Sequence, residues 1–246
     1  NLSPLIKTII QNINPRKTSI VLGDKERVLY GPGFIKDEMC GITFNITSKA
    51  FYQVNPLQTT KLYGKVIEHS KFNGIETIID AYSGVGTIGM ILSKSVKNVI
   101  SVENNKQAVS AAIVNSKNNN ITNVKFVCDD ATNFIINLAN EKEKIDAIIM
   151  DPPSYGRGAN GEVWDIEKNL NYLIELCMEI LSDEPLFFLI NSYTTGLSSH
   201  VLENILKLTI DKKYSGKITC GEVGLPIKEN DLVLPCGIYG RWESNE

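Results

Sequence analysis

From residue 76 onward, short apolar runs rich in β-branched residues alternate with amphipathic stretches of helical length. The apolar runs indicate strands, and the stretches between them indicate helices. The predicted strands are residues 77–83, 99–104, 124–130, 146–152 and 186–192. The predicted helices are residues 87–95, 106–119, 131–139, 166–183 and 198–210. Strands and crossover helices at this spacing predict an α/β chain with a doubly wound parallel sheet.

The segments on either side of this region show shorter patterns. The runs GKITCGEVGLPI and LVLPCGIYGRW, separated by KEND, predict a hairpin that closes the sheet in antiparallel fashion and raises it to seven strands. Near the N-terminus, RVLYG, CGITFNITSK and FYQVN predict a small antiparallel β lead-in, and KLYGKVIEHS predicts a helix. We therefore expect a lead-in over residues 1–55, as a fragment of a central domain, and a core domain over residues 56–246.

Composition argues against several classes of protein. The 246-residue chain is 43% hydrophobic, and it contains no apolar run of the roughly 18 residues that a membrane span needs. Its five cysteines form no CxxC pair, so we expect no disulfide framework, no metal cluster and a cytoplasmic location. The net charge is −3, although residues 1–30 carry five positive and two negative charges. That local excess suits phosphate contacts, but it is also typical of a solvated surface.

The segment from Asp80 to Gly89, DAYSGVGTIG, follows the first core strand and precedes a helix. From Gly84 to Gly89 it matches G-x-G-x-x-G, the pattern of dinucleotide sites. The carboxylate of Asp80 suits the positively charged amino and sulfonium groups of S-adenosylmethionine, whereas it would repel a pyrophosphate. The loop therefore favours a methyl donor over a nicotinamide dinucleotide.

Two further acids end the next two strands. Glu103 lies 19 residues after Gly84, where a carboxylate can accept hydrogen bonds from both ribose hydroxyls. Asp130 ends the third strand and is placed to accept a hydrogen bond from an adenine amino group. Each acid alone is also typical of a helix cap or a solvated charge. Three acids at successive strand ends, with Asp80 as the first, favour a nucleoside-cofactor site.

Residues 17–153 closely resemble the RNA uracil-5-methyltransferases, the bacterial 23S rRNA enzymes in particular. The matching stretches are VLGDKERVLYG, CGITFNIT, AFYQVNPLQTTKLYGKV, DAYSGVGTIG, SVENN, FVCDDA and MDPP. The resemblance implies a Rossmann-like methyltransferase sheet and RNA, ribosomal RNA in particular, as substrate. It also implies that S-adenosylmethionine is bound by Gln53, Tyr82, Glu103 and Asp151, with Asp130 on the adenine side.

This resemblance ends at Pro153. The family's next strand ends in Ser-Cys-Asn-Pro, whose cysteine attacks C6 of uracil, but here residues 186–192 read LFFLINS. Residues 151–242 instead resemble a second group of class I rRNA methyltransferases. The stretches that carry this second resemblance are DPPSYGRGANGEVWDIEKNL, LSDEPLFFLINSYTTGLS, GEVGLP and LPCGIYGRW. The chain thus looks like a mosaic of two methyltransferase groups that meet at the shared Asp-Pro-Pro.

The loop of residues 152–164 is the predicted substrate site because it leaves the carboxyl end of the fourth strand. The run from Asp151 to Tyr155, DPPSY, resembles the acid-Pro-Pro-aromatic loop of nitrogen methyltransferases, with the aromatic residue one position late. In this interpretation Asp151 accepts the departing hydrogen, Tyr155 stacks on a flipped base and Arg157 contacts a phosphate. A strand end followed by an ordinary loop tyrosine is the alternative.

These features predict an S-adenosylmethionine-dependent RNA methyltransferase in which Asp151 and Tyr155 are catalytic, while Tyr155 and Arg157 bind substrate. None of the five cysteines is expected to be a nucleophile. The predicted cofactor site comprises Gln53, Asp80, Tyr82, Gly84, Gly86, Glu103, Asp130 and Asp151. Two alternatives stay open. One is a cofactor-binding protein without catalysis, because the family cysteine is missing, and the other is a nicotinamide oxidoreductase, which only the glycine pattern favours.

Overall fold

The computed structural model describes residues 3–17, 21–53, 55–157 and 163–245. The N-terminal part contains β1 (Ile9–Ile13), β2 (Lys25–Tyr30), β3 (Phe34–Met39), β4 (Ile42–Thr47) and α1 (Pro56–Ser70). The central part contains β5 (Thr77–Ala81), α2 (Thr87–Leu92), β6 (Asn98–Glu103), α3 (Lys106–Asn118), β7 (Val124–Cys128), α4 (Ala131–Glu141) and β8 (Ala147–Met150). The C-terminal part contains β9 (Tyr155–Arg157), β10 (Val163–Asp165), α5 (Ile166–Ile180), β11 (Phe187–Ser192), α6 (Ser199–Leu208), α7 (Ile210–Lys213), β12 (Gly216–Pro226) and β13 (Val233–Ser244).

The largest sheet has seven strands in the order β12-β13-β11-β8-β5-β6-β7. Neighbouring strands from β11 to β7 are parallel, whereas β13 runs antiparallel to both β11 and β12. The predicted α/β sheet with an antiparallel closing hairpin is confirmed. The order reverses at β5 and β8, so the crevice beyond their carboxyl ends is where ligands bind in sheets of this type.

Helices cover both faces of this sheet. Because strand side chains alternate between faces, Ile148 and Ile190 join the core beneath α4, α5 and α6, while Ile149 and Leu189 face α1. Both faces are apolar over the parallel strands, as expected when helices bury both sides. Among the described residues, no helix combines the length and hydropathy needed to cross a membrane.

The lead-in forms two separate antiparallel ribbons, β1 with β2 and β3 with β4. The prediction of antiparallel structure is confirmed, but β1 lies before the predicted patterns, and the residues of FYQVN that are described form no strand. The second ribbon joins the α/β core through helix α3. The amides of Asn115 and Asn119, one helical turn apart, exchange hydrogen bonds of 2.7–3.3 Å with the backbones of Asn45 and Thr43. Helix α3 therefore supplies the edge of β4 with side-chain partners for its backbone.

The predicted loop at residues 152–164 differs from the observed structure. Its two ends pair as a short ribbon, in which Tyr155 lies opposite Asp165 and Arg157 opposite Val163. The indole of Trp164 donates a hydrogen bond to the carbonyl of Pro153, and Ser154 accepts one from Thr194. These contacts hold the ribbon against the end of β11.

Candidate active site

A cleft with a free volume of about 60 Å³ opens at the carboxyl edge of β5 and β8. Five of the predicted site residues line it together, and these are Gln53, Asp80, Tyr82, Gly84 and Asp151. The structure also places Phe51, Tyr52 and Tyr63 on its wall.

The glycine loop forms the floor of this cleft with an unusual backbone. Tyr82, Gly84 and Gly86 have φ angles of +62°, +55° and +73°. At Gly86 a Cβ atom would lie 2.7 Å from the Phe126 ring, so both the φ angle and the space require glycine there. At Gly84 the added atom would meet nothing within 4 Å, because that position faces open space in the cleft.

Asp80 lies below the loop, with a relative exposure of 2%. Its Oδ2 accepts hydrogen bonds from the Gly89 amide at 2.9 Å and the Ser101 hydroxyl at 3.5 Å. Burial raises the pKa of this carboxyl to about 7, and the charges of Asp151 and Glu103 add to the increase. Asp80 therefore orients the loop and also gives the floor of the cleft a group that favours a positive charge above it.

Asp151 follows the last residue of β8 and lines the same cleft. Burial raises its pKa to about 7. Among the described residues, no hydrogen-bond donor reaches its carboxylate. A partly buried acid with a pKa near neutrality and free acceptor positions is suited to binding a cation or taking up a proton.

The carboxylates of the other two predicted acids accept hydrogen bonds from backbone amides. Glu103 accepts hydrogen bonds from the amides of Gly84 at 3.0 Å and Asn105 at 2.7 Å. Asp130 is the N-cap of α4 and accepts from the Asn133 amide at 3.1 Å. Each carboxylate retains lone pairs beyond these contacts, since a carboxylate has about four acceptor positions. The cap contact of Asp130 shows that the helix-cap interpretation describes part of its role.

Aromatic side chains frame the cleft on two sides. Burial and the charge of Asp130 raise the pKa of Tyr82, whose ring centroid lies 6.2 Å from that of Trp164. Tyr63, on α1, is 6% exposed, and burial followed by the charges of Asp80, Tyr193 and Asp151 raises its pKa. A hydrogen bond with Gln53 acts in the opposite direction. Tyr63 had no local sequence signal, because a tyrosine on an amphipathic helix is most often a packing residue.

The two predicted substrate residues lie on the β9–β10 ribbon, outside the wall of the cleft. Tyr155 is 57% exposed, so its ring is available to stack on a base. The side chain of Arg157 and residues 158–162 lie outside the described part of the chain. The structure therefore brings five of the eight cofactor candidates into one cleft and places Tyr155 on a neighbouring ribbon. Gly86, Glu103 and Asp130 are not part of the cleft lining.

All five cysteines are free thiols. Cys177 is buried, and burial raises its pKa. Burial also raises the pKa of Cys220 to about 11, which keeps the thiol neutral at physiological pH. Cys128 is exposed at the end of β7. Within the described ranges, no group of three or more His, Cys, Asp or Glu side chains could hold a metal ion.

Comparison with known proteins supports the resemblance found in the sequence. Residues 62–213, a range that includes the junction at Asp151, match a family model described as Conserved hypothetical protein 95. An uncharacterized RNA methyltransferase of Bacillus cereus is 42% identical over 153 residues, which cover 62% of this chain and 33% of that protein. One from Streptococcus mutans is 44% identical over 153 residues, with coverages of 62% and 34%. The chain thus spans about a third of the length of the curated relatives that it matches.

Two solved structures share the fold. A SAM-dependent methyltransferase from Agrobacterium tumefaciens superposes with a TM-score of 0.75 at 21% identity, covering 90% of this chain and 74% of that one. The Pyrococcus abyssi tRNA (uracil-54, C5)-methyltransferase, in complex with S-adenosyl-L-homocysteine, gives a TM-score of 0.62 at 23% identity, covering 96% and 50%. The sheet described above is therefore the fold of known methyltransferases.

Proposed function

This chain belongs to the family described as Conserved hypothetical protein 95, and we propose that it transfers a methyl group from S-adenosylmethionine to RNA. The proposal is supported by curated relatives that are named RNA methyltransferases, and by the fold. The observation that carries it is the pair of acids, Asp80 and Asp151, in the cleft beside the glycine loop.

The cleft fits a methyl donor of this kind. S-adenosylmethionine supplies a methyl group on a positively charged sulfur and also carries an amino group. Asp80 and Asp151 both have pKa values near 7, and a cation between them would favour their ionised forms. The open space above Gly84 gives an elongated ligand room to cross the loop.

We assign the remaining contacts by position on the sheet edge. Glu103, at the end of β6, is proposed to accept hydrogen bonds from the ribose hydroxyls. Asp130, at the start of α4, is proposed to lie on the adenine side, with the Tyr82 ring between this group and the reacting end. Gln53 is proposed to contact the donor from the opposite wall, next to Tyr63.

Asp151 is proposed to accept the proton that the acceptor atom loses. Its carboxylate has no described donor, and it lies at the carboxyl end of a strand where two prolines fix the following backbone. An acid with a pKa near 7 exists partly as carboxylate at neutral pH, which is the form that a general base requires. This arrangement suits an exocyclic or ring nitrogen, which needs no covalent intermediate.

Ribosomal RNA is the proposed substrate, and the cytoplasm the proposed location, because the five free thiols and an RNA substrate suit a reducing compartment. Residues 1–55 are proposed as the lead-in to the donor-binding domain. The packing of β3 and β4 against α2 and α3 shows that part of this lead-in is built into the α/β core.

Calorimetric titration with S-adenosylhomocysteine and with NAD tests the cofactor. Saturable binding of the former alone supports the proposal, while binding of NAD alone would favour an oxidoreductase. Incubation of ribosomal RNA with labelled donor, followed by mass spectrometry of the nucleosides, tests the transfer and identifies the base.

A donor-binding protein without catalysis is the second candidate. It is favoured by the end of β11, which carries Asn191 and Ser192 and no cysteine. Binding of S-adenosylhomocysteine without methylation of any ribosomal RNA nucleoside would support this candidate.

A further inference from the structure

A second groove, with a free volume of about 420 Å³, adjoins the cleft on the α1 face of the sheet. The two spaces share Tyr63, Ile88 and Ile149 on their walls. The groove extends from this common wall across β11 and β13 to β12. Its apolar lining includes Leu62, Val66, Leu189 and Val223.

Asn191 contributes to the polar part of the groove lining, together with Glu222, Tyr239 and Arg241. It is 9% exposed and lines the groove, yet among the described residues its carboxamide has no hydrogen-bond partner. Among the described residues, the fully enclosed side-chain polar atoms without a partner belong to Tyr52, Ser182 and Trp242, so the polar atoms of Asn191 reach the open groove. The donors and the acceptor of this carboxamide are therefore available to a ligand in the groove.

The strand register places Asn191 beside Asp151. Met150 and Ile190 are neighbours across β8 and β11, so the next residue on each chain is Asp151 or Asn191. Neighbouring strands are about 4.8 Å apart, and residues in the same register project to the same face. Across the next pair, Asn191 lies opposite Tyr239. The proposed proton acceptor and the unpaired amide are thus lateral neighbours.

We propose that this groove holds the acceptor base of the RNA, and that the Asn191 carboxamide reads the edge of that base. This inference rests on the proposed function and extends it to the acceptor. The apolar walls and the Tyr63 ring accommodate a planar base, and the common wall at Tyr63 and Ile149 places that base next to the donor.

The hydrogen-bonding groups also restrict which base is accepted. A carboxamide offers one acceptor oxygen and two N–H donors, whereas an ionised Asp151 offers acceptors only. Together they complement an amino group beside an unprotonated ring nitrogen. Adenine and cytosine present that edge, guanine presents it through N2 and N3, and uracil has no amino group, so the groove discriminates against uracil.

The first test changes Asn191 to Leu, which has a similar size and no polar group. We expect kcat/KM for RNA to fall about 10–100-fold, since a site built to hydrogen-bond its substrate loses much of its transition-state binding without that bond. Affinity for S-adenosylhomocysteine should stay within twofold. Because the amide has no partner in the protein, its removal should leave the Tm unchanged or raise it. A fall in Tm with unchanged kcat/KM would instead show a structural role and overturn the inference.

The matched control is Asn98→Leu. Asn98 is exposed at the amino-terminal edge of the same sheet, where its side-chain amide donates a hydrogen bond to the Thr77 hydroxyl at 3.4 Å. It should leave both kcat/KM and donor affinity unchanged. If Asn191→Leu behaves like this control while the wild type methylates RNA, the inference fails and the proposed function stands.

A binding measurement decides the inference even if the wild type proves inactive. Adenosine, cytidine, guanosine and uridine are titrated into ¹⁵N-labelled protein, and the Asn191 side-chain amide signal is identified by its loss in Asn191→Leu. Saturable shifts with adenosine, cytidine or guanosine, larger than with uridine, are expected. Absence of any shift, when S-adenosylhomocysteine still perturbs the signals of Gly84 and Gly86, would overturn the inference. Absence of that second response would count against the proposed function itself.

Discussion

At the scale of single residues, the buried carboxylates of the cleft destabilise the free protein but favour the binding of a cation. Asp80 is buried and accepts hydrogen bonds from Gly89 and Ser101, yet its pKa lies far above the usual value for an aspartic acid. Desolvation therefore outweighs the two hydrogen bonds. A cation bound in the cleft would supply the missing stabilisation.

Replacement of Asp80 by Asn should raise the stability of the free protein and weaken donor binding. The folded-state pKa of about 7 exceeds the ordinary 3.8, so the folded protein holds an extra proton between these values. The wild-type free energy of unfolding should therefore fall as pH rises from about 4 to about 7. Above pH 7 the variant should be more stable by about 1–4 kcal/mol, and the advantage should shrink towards pH 4. Urea unfolding at pH 5 and pH 8, with calorimetry of S-adenosylhomocysteine, measures both effects. Equal stability of the two proteins at pH 8 would contradict this account.

Replacement of Glu103 by Ala should weaken donor binding by about 1.5–3 kcal/mol, the range for hydrogen bonds to a charged group. Part of this loss would come from the Gly84 amide, which loses its acceptor. Glu103→Gln is the control, because it keeps an acceptor for Gly84 but removes the charge. Titration calorimetry of both variants separates the two contributions. Unchanged affinity in Glu103→Ala would remove Glu103 from the site.

At the scale of elements, sequence patterns located the central strands well because β5, β8 and β11 are largely apolar runs buried in the sheet. The predicted strand at 77–83 was too long, since Tyr82 adopts a left-handed φ of +62° that ends β5 at Ala81. The β9–β10 ribbon could not be predicted, because its strands are three residues each and residues distant in the chain, such as Thr194, hold it in place.

Tyr155 gives this ribbon its proposed role in RNA binding. Tyr155→Ala should cost about 1–3 kcal/mol of RNA affinity, the usual contribution of one base–aromatic stack, with little change in donor affinity. Tyr172→Ala is the matched control, because Tyr172 on α5 is 53% exposed and lies away from the cleft. Fluorescence anisotropy with labelled RNA compares the two. Equal RNA affinities would show that the ribbon does not stack on RNA.

At the scale of the whole molecule, the packing of the antiparallel closing hairpin determines which residues from distant parts of the chain come together beside the cleft. The prediction from sequence placed Asp80, Gly84 and Asp151 at one sheet edge, because strand ends in a parallel sheet share an edge. It could not place Tyr63 or the groove beside Asn191, since both depend on how α1 and the hairpin pack against the sheet.

The cysteines of that hairpin should be dispensable. Cys220 has a raised pKa and packs against the core on the α6 side, and the Cys236 thiol contacts the Leu234 carbonyl at 3.4 Å. The double variant Cys220→Ser and Cys236→Ser should retain the methyl-transfer activity of the wild type within about twofold, since no step proposed above needs a thiolate. Loss of turnover in a folded variant that still binds donor would indicate a covalent mechanism.

The positions of the two tryptophans make intrinsic fluorescence a useful reporter of ligand binding. Trp242 is 1% exposed in the core, and its indole nitrogen has no partner among the described residues, so Trp242→Phe should be tolerated. Trp164 would then be the single indole emitter in the chain. Its indole donates a hydrogen bond to the Pro153 carbonyl, and its ring lies 6.2 Å from the ring of Tyr82, which lines the cleft. Its emission would report entry of ligands into the cleft in real time, without an attached dye.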